Sequence, residues 1–85
     1  MCKVIFEGES LSHIAYWVHN DKKIFDKIYA LLKDIDRNGA SKGIGKPERL
    51  KHLNAWSRRI NDEHRLIYNV DNETIHVISC RGHYE

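Results

Sequence analysis

The spacing of apolar residues changes once along this chain, and that change constrains the fold more than any other feature. Leu11, Ile14, Ala15 and Val18 recur at i, i+3, i+4 and i+7, the stripe of an amphipathic helix. After a break at His19-Asn20-Asp21, Ile24, Ile28, Leu31, Leu32 and Ile35 keep helical spacing. Lys22, Lys23, Asp26, Lys27, Lys33 and Asp34 are expected on the solvent side of this second helix. Gly8 or Ser10 can start the first helix, Asn20 or Asp21 can cap the second, and Asn38-Gly39 supplies its stop. From Trp56 onward the period is that of strands. Trp56, Arg58 and Ile60 alternate with Ser57, Arg59 and Asn61, and His64 to Val70 is rich in strand formers. Asp71-Asn72 is a turn signal before a last strand from Thr74 to Arg81. Between the two regimes, Asn38 to Pro47 holds three glycines and the only proline, an exposed loop. Lys3 to Phe6 reads as a short first strand. The expected class is α+β, with two N-terminal antiparallel helices packed on one face of a twisted antiparallel meander.

A length of 85 residues allows one domain, spanning 1–85. The 41% apolar and 31% charged residues exclude a disordered chain, which could not bury enough apolar surface to fold. The sequence has no apolar run of the roughly 18 residues a membrane helix needs. Met1 to Phe6 meets Glu7 and Glu9 at once, too short and acidic a start for a signal peptide. Cys2 and Cys80 make no dense disulfide framework, so reduced thiols and a cytoplasmic location are expected, without membrane association. The net charge of +2 hides an asymmetry: residues 1–41 are neutral, whereas residues 42–59 carry Lys42, Lys46, Arg49, Lys51, Arg58 and Arg59 against Glu48 alone. Such a cluster either attracts a polyanion or forms a solvated face.

Four groups of the C-terminal half have chemical potential: Glu48, Arg65, His83 and Tyr84. Glu48 follows a Gly-rich loop and Pro47, which present it at the mouth of a strand. Arg65 stands beside Leu66, Ile67 and Tyr68, where a guanidinium needs either a partner, such as Glu63, or an open pocket. Taken singly, Glu48 is an ordinary surface carboxylate, and His83 and Tyr84 belong to a chain end that usually frays. Taken together, a carboxylate, an arginine and a histidine suffice for metal-free RNA cleavage, which needs a base, a cation for the phosphorane and an acid. No phosphate-binding Gly-rich loop or serine elbow occurs. No metal site or cofactor is expected, because strand alternation would put His76 and Cys80 on one face and His83 on the other.

Gly45-Lys46-Pro47-Glu48, Leu50-Lys51-His52, Trp56-Ser57-Arg58-Arg59-Ile60, Glu63-His64-Arg65-Leu66-Ile67-Tyr68 and Cys80-Arg81-Gly82-His83-Tyr84 occur in the order of the YoeB (Txe) toxins of the RelE/ParE superfamily, which the chain resembles over nearly its whole length. Tyr16-Trp17, Lys27-Ile28 and Ile35-Asp36-Arg37-Asn38-Gly39 extend the resemblance into the helical half. It implies a microbial-RNase-like fold and a ribosome-dependent mRNA interferase of a type II toxin–antitoxin pair. By the same resemblance Glu48 is the general base, His83 the general acid, Arg65 the phosphate-stabilising residue and Tyr84 the completing aromatic. Lys46, Lys51, Arg59 and Arg81 are implied supporting cations for RNA or ribosome. The implied partners are a YefM-like antitoxin, the 70S ribosome with mRNA, operator DNA reached through the antitoxin, and a second copy of the chain. ParE-like proteins that inhibit DNA gyrase share the scaffold and are the alternative. The sequence departs from the family pattern in a shorter stretch from His52 to Trp56, in Arg49 where a second Pro is expected, and in Glu85 after the terminal Tyr.

Overall fold

The computed structural model describes residues 3–82, in the order β1 (Lys3–Phe6), α1 (Ser10–Asn20), α2 (Lys22–Asn38), β2 (Glu48–Arg49), β3 (Trp56–Arg59), β4 (Arg65–Asp71) and β5 (Thr74–Ser79). The second helix forms as its sequence dictates. Asp21 is extended, and its carboxylate accepts the Lys23 and Ile24 N–H groups at 3.1 and 3.3 Å. Gly39, at φ +88°, ends the helix, with its N–H donating to Ile35 O at 2.8 Å. Ile28, Leu31 and Ile35 are buried on the face this spacing defines.

The first helix turns a different face inward. Leu11 and Val18 are 62% and 52% exposed, while Ser10 and Trp17 are buried. The reason is polar. Ser10 Oγ donates to Val77 O and Trp17 Nε1 to Cys80 O, both at 2.9 Å, so α1 is anchored to β5 and to the residue after it by two buried hydrogen bonds that spacing of apolar residues does not report.

The sheet order is β1-β5-β4-β3-β2. It is antiparallel from β2 to β5, but β1 adds to β5 in parallel, Lys3 opposite Thr74 and Phe6 opposite Val77, so the sheet is mixed rather than antiparallel throughout. Parallel neighbours require a long crossover, which the helices and three strands between β1 and β5 supply. Asn72 and Glu73, both at positive φ (46° and 63°), make the two-residue turn between β4 and β5. Further along this hairpin a bulge sets Tyr68 opposite Val77 but Ile67 opposite Ser79. The extra residue reverses the alternation. Cys80 therefore joins the core while His76 lies on the other face, against the expectation that the two share a side. Burial pushes the free Cys80 thiol up to about 12, leaving it inert; Cys2 lies outside the described residues.

The largest departure from the sequence expectation is Arg58. Counted among the cations of the basic cluster, it is fully buried on the helix-facing side of β3. Its Nε donates to Tyr68 Oη at 2.8 Å, Nη1 to Asp34 and to Ile44 O at 2.9 Å, and Nη2 to Gly39 O and Lys42 O at 2.8 and 2.7 Å. All five N–H donors of the guanidinium are thus used. Tyr68 Oη donates in turn to Ala40 O at 2.6 Å, and Asp34, expected in solvent, also accepts from Ile44 N–H and Asn38 Nδ2. The loop from 39 to 45 is wrapped around one buried charge. Gly43, at φ +123°, approaches so closely that a Cβ would overlap the Asp34 carboxylate. Gly43→Ala is therefore expected to cost at least about 1–3 kcal/mol. Urea unfolding checks this: the midpoint should fall with an unchanged slope, and an unmoved midpoint would contradict the packing described.

Candidate functional site

Residues directly opposite on neighbouring strands share a face. Trp56, Arg58, Leu66 and Tyr68 face the helices, so alternation sends Ser57, Arg59, Arg65 and Ile67 to the opposite side, which is open at Arg59 while Ser57 and Ile67 are buried. Glu48 opposite Ser57, Ser57 opposite Ile67 and Ile67 opposite Ser79 form one row there, and Arg59 opposite Arg65 forms the next. Two strand spacings of about 4.8 Å and two residue rises of about 3.4 Å separate the Cα atoms of Glu48 and Arg65 by roughly 12 Å. Two long side chains can close around one phosphodiester across such a gap.

The electrostatics of this face are unbalanced. Arg59 is exposed, Arg65 is half-buried, and among the described residues neither guanidinium has a hydrogen bond or an ion pair. The pairing of Arg65 with Glu63 that the sequence allowed is absent. Like charges directly opposite each other destabilise a sheet, and the cost is recovered only when an anion lies between them. Glu48 is exposed and likewise without a hydrogen-bonding partner, and the buried Ser57 Oγ opposite it is an orphaned donor. Spacing offered no signal for Ser57 beyond its alternation with Arg59.

The remaining sequence candidates separate. Lys46, at φ +52°, is exposed just before β2, and Lys51 is exposed in the short loop that Leu50 N–H closes onto Ala55 O at 3.0 Å. Arg49 bonds Asn54 Oδ1 at 2.6 Å and lies over Trp56, so it braces the loop between β2 and β3. Arg81 is not aimed at Glu48: its guanidinium stacks 3.7 Å over the Tyr16 ring of α1. His83 and Tyr84 lie outside the described residues.

The segment leading to them is held by groups the sequence did not single out. Beyond Ser79 the β5 ladder stops, and side chains replace it. Cys80 N–H donates to His13 Nδ1 at 3.3 Å, Cys80 O accepts from Trp17, and Gly82 N–H donates to His64 Nδ1 at 2.8 Å. Gly82 O accepts from Arg65 N–H at 3.0 Å. Burial holds the His13 imidazole below its usual value, with Arg81 acting in the same direction and Glu9 against it. The unfolded chain thus takes up a proton that the folded one resists. Stability contributed by this site is unaffected at alkaline pH and falls as the medium acidifies through the ordinary imidazole value near 6.5. Thermal melts should show a midpoint that drops between pH 7.5 and 5.5, with a shallower drop in His13→Asn, whose amide oxygen can still accept the Cys80 N–H; equal slopes would refute the assignment.

Known proteins place the chain among relatives. A family model for the YoeB-like toxin of bacterial type II toxin–antitoxin systems matches residues 6–84. The toxin YoeB of Escherichia coli K12 is 45% identical over 84 residues, covering 96% of this chain and 99% of that protein. The toxin YoeB of Synechocystis is also 45% identical, over 98% of each. Among solved structures, a YoeB dimer from Staphylococcus aureus superposes with a TM-score of 0.93 at 49% identity over 98% of both chains. The heterotetrameric YoeB–YefM toxin–antitoxin complex from the same organism gives 0.92 at 49% identity over 99% of both.

Proposed function

The chain belongs to the family of YoeB-like toxins of bacterial type II toxin–antitoxin systems, and from that premise we propose that it is a cytoplasmic, ribosome-dependent endoribonuclease that cuts mRNA in the A site and so stops translation. The observation that carries this reading is the Arg59–Arg65 couple, unpaired among the described residues, on the same sheet face as Glu48. A site whose cations lack their own anions is built to receive one, and the scissile phosphate is the anion the reaction presents.

In the proposed reaction Glu48 takes the proton of a ribose 2′-hydroxyl, and the 2′-oxygen attacks the adjacent phosphorus. Arg65, with Arg59 beside it, stabilises the added charge on the phosphoryl oxygens. His83 gives a proton to the departing 5′-oxygen and Tyr84 packs against the site, leaving a 5′-hydroxyl and a 2′,3′-cyclic phosphate. Lys46 and Lys51, both exposed, would meet the RNA backbone or the ribosome, and Arg81, stacked on Tyr16, would act from α1 rather than in the site. A YefM-like antitoxin is the proposed neutralising partner, with operator DNA reached through it; self-association of this toxin is proposed by likeness to the solved dimer. Adding the protein to translating ribosomes and mapping the ends of the message tests the reading. Cleavage within the A-site codon with 5′-hydroxyl ends is expected, whereas intact message with inhibited gyrase supercoiling would overturn it in favour of a ParE-like role.

A further inference from the structure

The residue that precedes the proposed acid has both main-chain polar groups captured by one dipeptide. Gly82 N–H donates to the His64 side chain at 2.8 Å, and Gly82 O accepts from the Arg65 main chain at 3.0 Å. The Arg65 side chain meanwhile occupies the open face. His64 is itself fixed at three points. Its N–H donates to Asn61 Oδ1 at 2.8 Å, its carbonyl accepts from Ile60 N–H at 3.0 Å, and its ring meets Trp17 edge-on, 4.7 Å between centroids. Because Nδ1 accepts a main-chain N–H, the imidazole is held with its proton on Nε2. Gly82, at φ +97°, turns the chain at this point in a conformation that side-chain-bearing residues rarely adopt.

Resting on the endoribonuclease reading above, we propose that His64 is a positioning residue for that reaction: its Nδ1 anchors Gly82 and thereby ties the start of the His83-Tyr84 segment to the same dipeptide that presents Arg65. General acid catalysis needs the donor within hydrogen-bond reach of the leaving oxygen. Gly82, which precedes His83, and Arg65, which follows His64, thus share one anchor. His13 and Trp17, bound to Cys80 N–H and O, hold the preceding step of the same segment. The neutral His64 ring thus works through its acceptor nitrogen, with no contact to RNA required.

Two substitutions separate the acceptor from the packing. His64→Phe keeps a ring against Trp17 and removes the acceptor, and His64→Asn keeps an acceptor oxygen at the place of Nδ1 and removes the ring. Cleavage of ribosome-bound mRNA should fall about 10²-fold in His64→Phe, the scale of a misplaced reacting group, and largely recover in His64→Asn. The wild-type 15N spectrum should show an unprotonated Nδ1 on His64, and amide exchange at Gly82 should quicken in His64→Phe but not in His64→Asn. Wild-type cleavage by His64→Phe, or equal losses in both variants with unchanged Gly82 exchange, would overturn the positioning role while leaving the endoribonuclease reading intact. A wild-type protein that leaves message uncut would instead remove that reading and this role with it.

Discussion

Arg58→Ala is expected to lower the unfolding free energy by about 3–5 kcal/mol, the usual cost of breaking a buried ion pair from one side. Against a domain stability of about 5–15 kcal/mol, that leaves a large unfolded fraction at moderate temperature. The loss has several parts. Asp34, whose side chain is 16% exposed, would keep its charge without its main partner, and the Gly39, Lys42 and Ile44 carbonyls would lose their donors together. Arg58→Lys should fail nearly as badly, because one ammonium cannot reach positions that a planar fork of five donors spans. Replacing both charges with apolar residues would leave the three carbonyls orphaned, so the pair is not expected to be rescued that way. The acid limb gives a second check. The Arg58 hydrogen bond first, and those from Ile44 and Asn38 after it, hold the Asp34 carboxyl below its ordinary range despite burial acting the other way. A depressed carboxyl contributes stability above its unfolded value near 3.9 that is lost as pH falls through the lower folded value. Asp34→Asn should flatten this part of the acid unfolding curve. Urea midpoints unchanged in Arg58→Ala would show that the guanidinium is not the pivot of the loop.

Arg65→Ala is expected to reduce single-turnover mRNA cleavage about 10²–10³-fold, the effect of removing one preorganised charged donor. Its effect on folding should have the opposite character. The Arg65 side chain makes no hydrogen bond or ion pair among the described residues and faces Arg59 directly, so its removal relieves a like-charge contact worth about 0.2–1 kcal/mol. An inactive variant as stable as the parent or slightly more so is the signature of a residue kept for its chemistry rather than for the fold. Arg65→Lys should recover only part of the rate, since a point charge replaces a bidentate fork. A variant that cuts message at the parental rate, or that unfolds along with its loss of activity, would assign Arg65 to structure instead. These two arginines carry opposite expectations although they stand only seven residues apart.

That contrast shows where legibility ended. Local signals sufficed for α2, whose Asp21 cap, Ile28-Leu31-Ile35 stripe and Gly39 stop all lie within the segment they control. They sufficed again for the β4–β5 hairpin, whose turn residues tolerate positive φ. For α1 they pointed to the wrong face, because Ser10 and Trp17 are drawn inward by the carbonyls of Val77 in β5 and of Cys80 just beyond it, 67 and 63 residues away. For Cys80 they gave the wrong side, because one bulge reverses every later side chain. The candidate site was visible as a set of unusual residue types, and a family resemblance supplied their roles. Its convergence was not visible: Glu48 and Arg65 meet on one face only through the register of β2 on β3 and β3 on β4.

What the sequence determined by itself was the set of elements apart from the two-residue β2, since periodicity, capping and turn propensity act over a few residues and need no partner. Tertiary structure alone decided which charge is buried and which is free. Arg58 and Arg59 are neighbours with the same side chain, but one finds Asp34 and three carbonyls behind the sheet while the other faces Arg65 across an open surface. The cost of placing a charge is set by the groups that surround it in space, and those come from distant parts of the chain.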